Sequence, residues 1–506
     1  MRHLFYNTKV LTQDKQQPVA TAFIVEHGKY IAVGNAALAE ANVDAKTDLQ
    51  SCYVIPGFHD AHMHVWKVGN LRTHMLDVRY VASLEELQSV LKAYADAHPE
   101  LTWIQARGFN EQNFPTHNMP DKFDLDTIIP DRPVVLTRTC AHQIIANSKA
   151  MELSGVHRHT PIPSGGEISY LPNGDLSGHF TETAIGLILS AIPKYSAAEL
   201  REMVLSAQEA CLACGITTVT DPAVDRDLLE VYKQMDAAGD LRMRVHAIPI
   251  RVPDGKNTVY PNPALYHSDH LIVNTVKFFA DGGLSGKTAA VSKPYVGSTS
   301  TGVLRLTFDA LLPLARSSQE AGFLIATHAI GDVAIDTVLQ VYEAIHGEKH
   351  RIEHLGLPNQ QHLEIMHKRQ IAAVMQPIFI RELGHNFIDA LDSGRLAHLY
   401  PVQTVLQRDI PLALSTDAPV VTSIDPWVNI QAAVTRTTKS GITIGHDECI
   451  SLEAAIQAYT KGSALVSGVG NQAGAVAVGM QADFQVLRSL DTSGLQAVYI
   501  DGNPLK

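Results

Sequence analysis

The chain has 506 residues, of which 45% are hydrophobic and 18% charged, so it can bury a large core and is too long for one small domain, and a disordered chain is not expected. A net charge of −12 argues against nucleic acid or an anionic membrane as a partner held by bulk charge. The N-terminal stretch has no apolar leader core, no run of about 18 apolar residues occurs, and five cysteines do not make a disulfide framework, so a reducing, cytoplasmic setting without a membrane span is expected.

Residues 1–57 read as β-rich, with TAFIVEHGKYIAVG as a hairpin around His27-Gly28-Lys29. The stretch from 470 reads the same way, with ADFQVLRSL, AVYIDGNPL and a turn at Asp501-Gly502. Segments 1–54 and 470–506 are therefore expected to form one small composite β-sandwich domain. Between them, 55–469 alternates short apolar strands with amphipathic helices. Strand candidates are 53–64, 215–221, 242–250, 275–282, 324–331, 350–355, 371–377 and 412–419, the eight that a closed (β/α)₈ TIM barrel needs. The gap after the first is far too long for one βα unit, so an α/β lid-like insertion is expected at about 70–190, with turn-rich PIPSGGE and LPNGD inside it. Two capping boxes start helices, Ser83 with Glu86 and Ser196 with Glu199. Behind the second, Leu200, Met203, Val204, Ala207, Cys211 and Cys214 recur at helical spacing, and Gly215 stops the helix. Cys211-x-x-Cys214 lies on that apolar face with no second pair nearby, so a packing role is expected of it.

The chemistry-bearing residues sit at strand ends. His62 and His64 are two apart, so on a strand they face one way, as two ligands of one ion must. Alone, such a pair is equally a surface or packing feature. Four more strands end in a possible ligand: Lys277, His328, His354 and Asp417. All would meet at one barrel mouth, and nitrogen and carboxylate donors suit zinc or a similar divalent metal.

The order P-G-F-x-D-x-H-x-H, strand-end Lys, two strand-end His and S-T-D-A-P resembles the amidohydrolase superfamily. It is closest to the YtcJ-like branch that includes N-substituted formamide deformylases. ARGFNEQNFP, AHQIIANSKAM, VKFFADGGLSGKTA, RIEHL and PLALSTDAPV carry the likeness along the chain, as do SLEAAIQAYTKGSA and VGMQADFQVL. The resemblance implies that His62, His64 and Asp417 hold one metal. His328 and His354 would hold a second, or one of them would contact substrate. Lys277 would bridge the two ions after reaction with carbon dioxide has turned it into a carbamate; the other reading is an unmodified lysine beside a single metal. Metal lowers the pKa of bound water toward ~7, and the resulting hydroxide would attack the substrate carbonyl. Asp417 would take the water proton and return it to the departing amine. His142 matches a histidine of the branch and is the candidate oxyanion donor, or else a hydrogen-bonded structural histidine; Cys140-Ala141 precedes it where a D-G pair is common in the branch.

Trp66, Phe109 and Asp281 are weaker candidates for substrate contacts: Trp66 and Phe109 fit a pocket wall or the core equally, and Asp281 fits a substrate loop or a simple turn. Asp60 is read as orienting a ligand histidine, Asp332 as a helix cap, and Glu353 as facing a helix rather than the site. The expected function is metal-dependent hydrolysis of a C–N bond in a small amide, N-formyl or carbamate-like molecule. Ester or lactone hydrolysis at the same site, ring deamination and a barrel that only binds ligand are the alternatives. Such barrels often pair as homodimers, although no interface signal stands out.

Overall fold

The computed structural model describes residues 1–163, 165–253, 258–345 and 349–505. Ser164 of the PIPSGGE segment and Lys506 of the expected terminal domain lie outside the described residues. Ile216–Val224, Arg244–Pro249, Arg351–His354 and Ala372–Met375 are buried along nearly their whole length, as strands covered on both faces are, and several carry buried polar side chains. They belong to two five-stranded sheets. In the first, Phe58–Asp60, Ile216–Val224, Arg244–Pro249 and Leu271–Val273 are parallel neighbours, with Tyr266–His267 antiparallel at the edge. In the second, Thr275–Phe279, Leu324–Ala329, Arg351–His354, Ala372–Met375 and Leu412–Leu414 lie side by side in chain order, all parallel.

The sheets meet at two seams. A parallel bridge pairs Ile250 with Lys277. At the other seam Ala61 N donates to Leu414 O (3.4 Å), Asp417 N to His62 O (2.7 Å) and His64 N to Ala418 O (2.9 Å). The last two bonds lie beyond the strand ends and bring the two histidines beside Asp417.

The segment 53–64, expected as one strand, is two. Tyr53–Pro56 pairs with His3–Leu11 and Phe484–Leu487, whereas Phe58–Asp60 pairs with Ile216–Val224. Gly57 is the joint: a Cβ there would stand 2.1 Å from Thr217 Oγ1, so a side chain has no room where the chain crosses between sheets. The terminal sheet thus takes in residues up to Pro56, two past the expected boundary.

Both termini contribute to one eight-stranded sheet. His27 (φ 50°) and Gly28 (φ 73°) turn Val19–Glu26 into Lys29–Val33, and Asp501 (φ 52°) and Gly502 (φ 72°) do the same for the last hairpin. Two successive left-handed residues match the strand twist, hence the His-Gly and Asp-Gly pairs. Phe5, Phe23 and Phe484 pack ring on ring beneath this sheet, and Tyr499 stacks on Phe484.

A six-stranded mixed sheet, from Leu76–Asp77 to Leu176–Glu182, fills the long gap between the first two parallel strands. It has its own apolar core of Leu87, Leu91, Ile104, Phe109 and Leu136. Phe109, read as pocket wall or core, is wholly buried in this core, beyond a register shift that separates it from Arg107.

Helix Ala197–Ala213 opens on the complete Ser196–Glu199 box. Ser83 caps Leu84–Ala97, but the Glu86 carboxylate reaches the amide of Ala82 instead of Ser83, so that box is only half made. Cys211 is buried with Sγ 3.6 Å from Met63 Sδ, a packing contact. Among the described residues no helix is long and apolar enough to cross a membrane.

Candidate metal centre

His62 and His64 lie past the end of Phe58–Asp60, so strand alternation does not aim them. A buried carboxylate holds the segment instead. Asp60 accepts from the main-chain N–H of His62 (3.1 Å) and from Thr416 through its amide (3.1 Å) and hydroxyl (2.8 Å). One side chain therefore ties the two segments that carry His62, His64 and Asp417, and it acts on backbone, where a histidine ring had been expected. Asp417 itself is left-handed (φ 57°), which turns its carboxylate toward the histidines. Its Oδ1 lies 3.3 Å from His62 Nε2 and 3.4 Å from His64 Nε2, and the ligand atoms of the three residues all fall within 4.8 Å of one another.

The remaining candidates gather alongside. The His354 ring centroid is 4.9 Å from that of His62 and 4.5 Å from that of His328. Lys277 is fully buried on its strand, its Nζ 5.0 Å from the Phe279 ring centre.

Each histidine has one ring nitrogen engaged by an acceptor. Nδ1 of His62 meets Glu353 Oε2 at 2.5 Å, and Nδ1 of His64 meets the Pro222 carbonyl at 3.1 Å. Nδ1 of His354 meets Gln376 Oε1 at 2.8 Å, while the Gln376 amide donates to Ser415 Oγ at 2.8 Å. His328 reverses the pattern, with Nε2 on the Gly282 carbonyl at 3.1 Å. Oxygens of this kind accept only, so the engaged nitrogen carries the proton and the other keeps its lone pair, the tautomer a metal requires. Burial pulls His64 and His354 down to about 3 and His328 far below its usual range, so these rings are neutral. His62 is raised: burial lowers it, but Glu353 and Asp417 outweigh burial.

The centre is then a set of lone pairs facing one another. Asp417 Oδ1 has no hydrogen-bond donor despite two ring nitrogens within 3.4 Å, and Lys277 Nζ is also buried without a hydrogen-bond partner among the described residues. Burial favours protonation of Asp417, yet the nearby histidines hold its carboxyl well below the usual carboxylate range. Burial brings Lys277 down to about 8, against the pull of Glu353 and Asp417. Facing acceptors of mixed N and O type fit a divalent cation between them.

The centre floors a cavity of about 730 Å³, measured out to its open mouth. His142 lines it, with Nδ1 3.0 Å from Glu182 Oε2. Burial opposes its charge, but Glu182 prevails and lifts His142 to about 9. Ala141 adopts φ 63°, the left-handed conformation that glycine takes without strain, and so delivers His142 to the cavity without the common D-G pair. Arg107 and Lys67 also line the cavity, with Leu284, Phe379, Leu383 and Phe387 as its apolar wall.

Other expectations are corrected. Asp281 is fully buried and absent from the lining: its carboxylate accepts from the amides of Ala290, Ile330 and Gly331 and so pins the loop after the His328 strand. Trp66 is absent as well, packing edge-on against Tyr195 because its helix turns it away from the mouth. Asp332 caps no helix; it begins one and binds the amide and hydroxyl of Ser292. Glu353 does not face a helix. It is wholly buried and holds both His62 and Arg351. Alternation fails there because the strand ends in two left-handed residues, His354 (φ 76°) and Leu355 (φ 49°). Glu353, Gln376, Glu182 and Arg107 were not picked out as site residues by sequence reasoning. RIEHL alone held a usable signal, a carboxylate beside a ligand histidine.

Residues 47–503 match the amidohydrolase family. The chain belongs to that family. Among its relatives, YtcJ of Bacillus subtilis, which bears the name of an amidohydrolase, is 30% identical over 96% of this chain and 94% of its own. An N-substituted formamide deformylase of Arthrobacter pascens is 27% identical over 96% and 93%. In structure, a metal-dependent hydrolase from Pyrococcus horikoshii superposes with a TM-score of 0.79 at 25% identity, over the full length of both chains. This amidohydrolase is thus a hydrolase by family, and His62, His64 and Asp417 form a group that could hold a cation.

Proposed function

We propose that this amidohydrolase is a zinc-dependent enzyme that cleaves the C–N bond of a small amide, N-formyl or carbamate-like molecule. The observation that carries the reading is the set of four histidines, each with one nitrogen engaged by an acceptor, around Asp417 Oδ1 and Lys277 Nζ, which are buried without a hydrogen bond among the described residues. The solved relative from Pyrococcus horikoshii is a metal-dependent hydrolase by name, and the Arthrobacter pascens relative is named for acting on N-substituted formamides. The parallel strands of the two sheets and the two seams between them support a closed (β/α)₈ barrel, residues 55–469, with the six-stranded sheet as its insertion and the joint terminal sheet as a second domain.

In this reading His62, His64 and Asp417 would hold one ion, and His328 and His354 would hold a second. When bound, zinc supplies Lewis acidity toward the carbonyl and brings the pKa of water to ~7. Lys277, with its pKa drawn to about 8, has neutral amine available, and bond formation between its Nζ and carbon dioxide with loss of a proton would give an anionic ligand. Asp417 takes the proton from the attacking water and passes it to the leaving amine, so that amide and water become acid and amine. His142, kept protonated by Glu182, donates a hydrogen bond to the carbonyl oxygen as charge develops there.

The test is product release from a panel of N-formyl, N-acetyl and N-aroyl amines with matched esters, using metal-replete and chelated enzyme side by side. Amide cleavage that chelation abolishes is the expected result. Cleavage confined to the esters would replace this reading with an esterase, and silence across the panel with metal bound would leave a binding protein.

A further inference from the structure

The lining of the cavity contains a cation that the chemistry above does not use. Arg107 lies on the Ile104–Phe109 strand of the insertion and is only 6% exposed. Its Nε and Nη2 are buried and have no hydrogen-bond partner among the described residues. A guanidinium withdrawn from water is costly unless its N–H groups are met.

Two other buried arginines of the same chain show what that edge does when it is satisfied. Arg138 gives Nε and Nη2 to the two carboxylate oxygens of Glu111, at 2.7 and 2.8 Å. Arg244 gives the same pair of nitrogens to the two oxygens of Asp483, at 2.7 and 3.1 Å. The Nε–Nη2 edge is a two-pronged donor whose match is a carboxylate. In Arg107 that edge belongs to a side chain that lines the cavity together with His142 and Asp417. Among the described residues no carboxylate binds it: the nearby Asp77 gives both its oxygens to Arg79, and Asp417 acts on Arg107 without a hydrogen bond.

We propose that Arg107 receives a carboxylate of the substrate, so that the amides this enzyme takes are small acids, such as N-acyl amino acids with an apolar side chain. Leu284, Phe379, Leu383 and Phe387 accommodate the apolar part, and Arg107 swings its Nε–Nη2 edge onto the carboxylate as the molecule enters. The proposal rests on the amide-hydrolase reading for its substrate, but not for its binding step.

Two measurements separate them. In the first, calorimetry follows benzoate and benzamide binding to metal-free wild type, Arg107→Gln and Arg107→Lys; removing metal keeps the probe from ligating an ion. The expected result is that wild type binds benzoate tenfold or more tighter than benzamide. Arg107→Gln should lose that preference, and Arg107→Lys, which keeps the charge without the fork, should retain part of it. Equal affinity for both probes in wild type, or an unchanged preference in Arg107→Gln, would overturn the proposal, and Arg107→Lys serves alone should the Gln variant not fold. In the second, holoenzyme is compared on N-acetylphenylalanine and its neutral methylamide. A kcat/KM at least tenfold higher for the acid, carried in KM and abolished by Arg107→Gln, is expected. A loss of kcat equal for both substrates would make Arg107 a group acting on Asp417 and refute the carboxylate role. Absence of hydrolysis alongside Arg107-dependent benzoate binding would sink the hydrolase reading and leave the binding site standing.

Discussion

Glu353→Gln tests whether the centre depends on groups behind its ligands. The substitution keeps the shape of the side chain and one acceptor oxygen, but removes the charge that His62 Nδ1 meets at 2.5 Å and that Arg351 also shares. A hydrogen bond to a charged group is worth about 1.5–3 kcal/mol. Loss of the group that orients a metal-binding histidine weakens metal affinity by roughly 10–100-fold, or about 1.4–2.8 kcal/mol. The fold loses less than a fully stranded arginine would cost, because Arg351 keeps its bond to the Ala61 carbonyl at 2.8 Å. For a chain of this length about 3 kcal/mol corresponds to a fall in melting temperature of only about 3 °C. The pH response has a definite sign. Burial depresses His62, but Glu353 and Asp417 together raise it, so protons compete with metal as the pH falls. Removing the Glu353 charge lowers that pKa, and the acid-side loss of metal shifts to lower pH even as affinity at neutral pH drops. Competition with a chromophoric chelator across pH reads both quantities. Affinity within twofold of wild type, with the acid midpoint unmoved, would refute the argument.

Asp417→Asn should melt like wild type and lose roughly 10²–10⁴ in kcat, as expected for a proton-transfer group; near-normal turnover removes it as the shuttle. Lys277→Ala should be inactive and partly restored by metal with a short carboxylic acid, and full activity without any acid excludes a carboxylated bridge. His142→Gln should lower kcat by about 10²–10³ with KM little changed. Since Glu182 outweighs burial and raises His142 to about 9, wild-type activity should be present below that pH and fall as pH rises through it; the variant should lack this limb in a pH–rate profile. Phe109→Ala should cost about 3–5 kcal/mol through the cavity it leaves in the insertion core, seen as a lower melting temperature at unchanged KM. A selective rise in KM would return Phe109 to the substrate wall.

Local patterns in the chain carried the strand segments, the two terminal hairpins, the Ser196 cap and the six residues that gather at the centre. They are legible because each depends on near neighbours: an apolar run, a Gly that permits positive φ, a hydroxyl three residues before a carboxylate. What lay beyond reach depended on distant segments meeting. His62 and Glu353 are 291 residues apart, and Asp60 and Thr416 are 356 apart, yet these bonds set the histidine tautomer and the aim of Asp417. Alternation misassigned Glu353 because the strand breaks into left-handed residues at His354 and Leu355, and it misplaced His62 and His64 because their strand stops at Asp60. Asp281, Phe109 and Trp66 looked like site residues by proximity in sequence, and packing turned each away. The sequence by itself determined which donors are present and the order in which they arrive. Only the tertiary structure decided which nitrogen of each ring is free, because that depends on an acceptor contributed by another part of the chain.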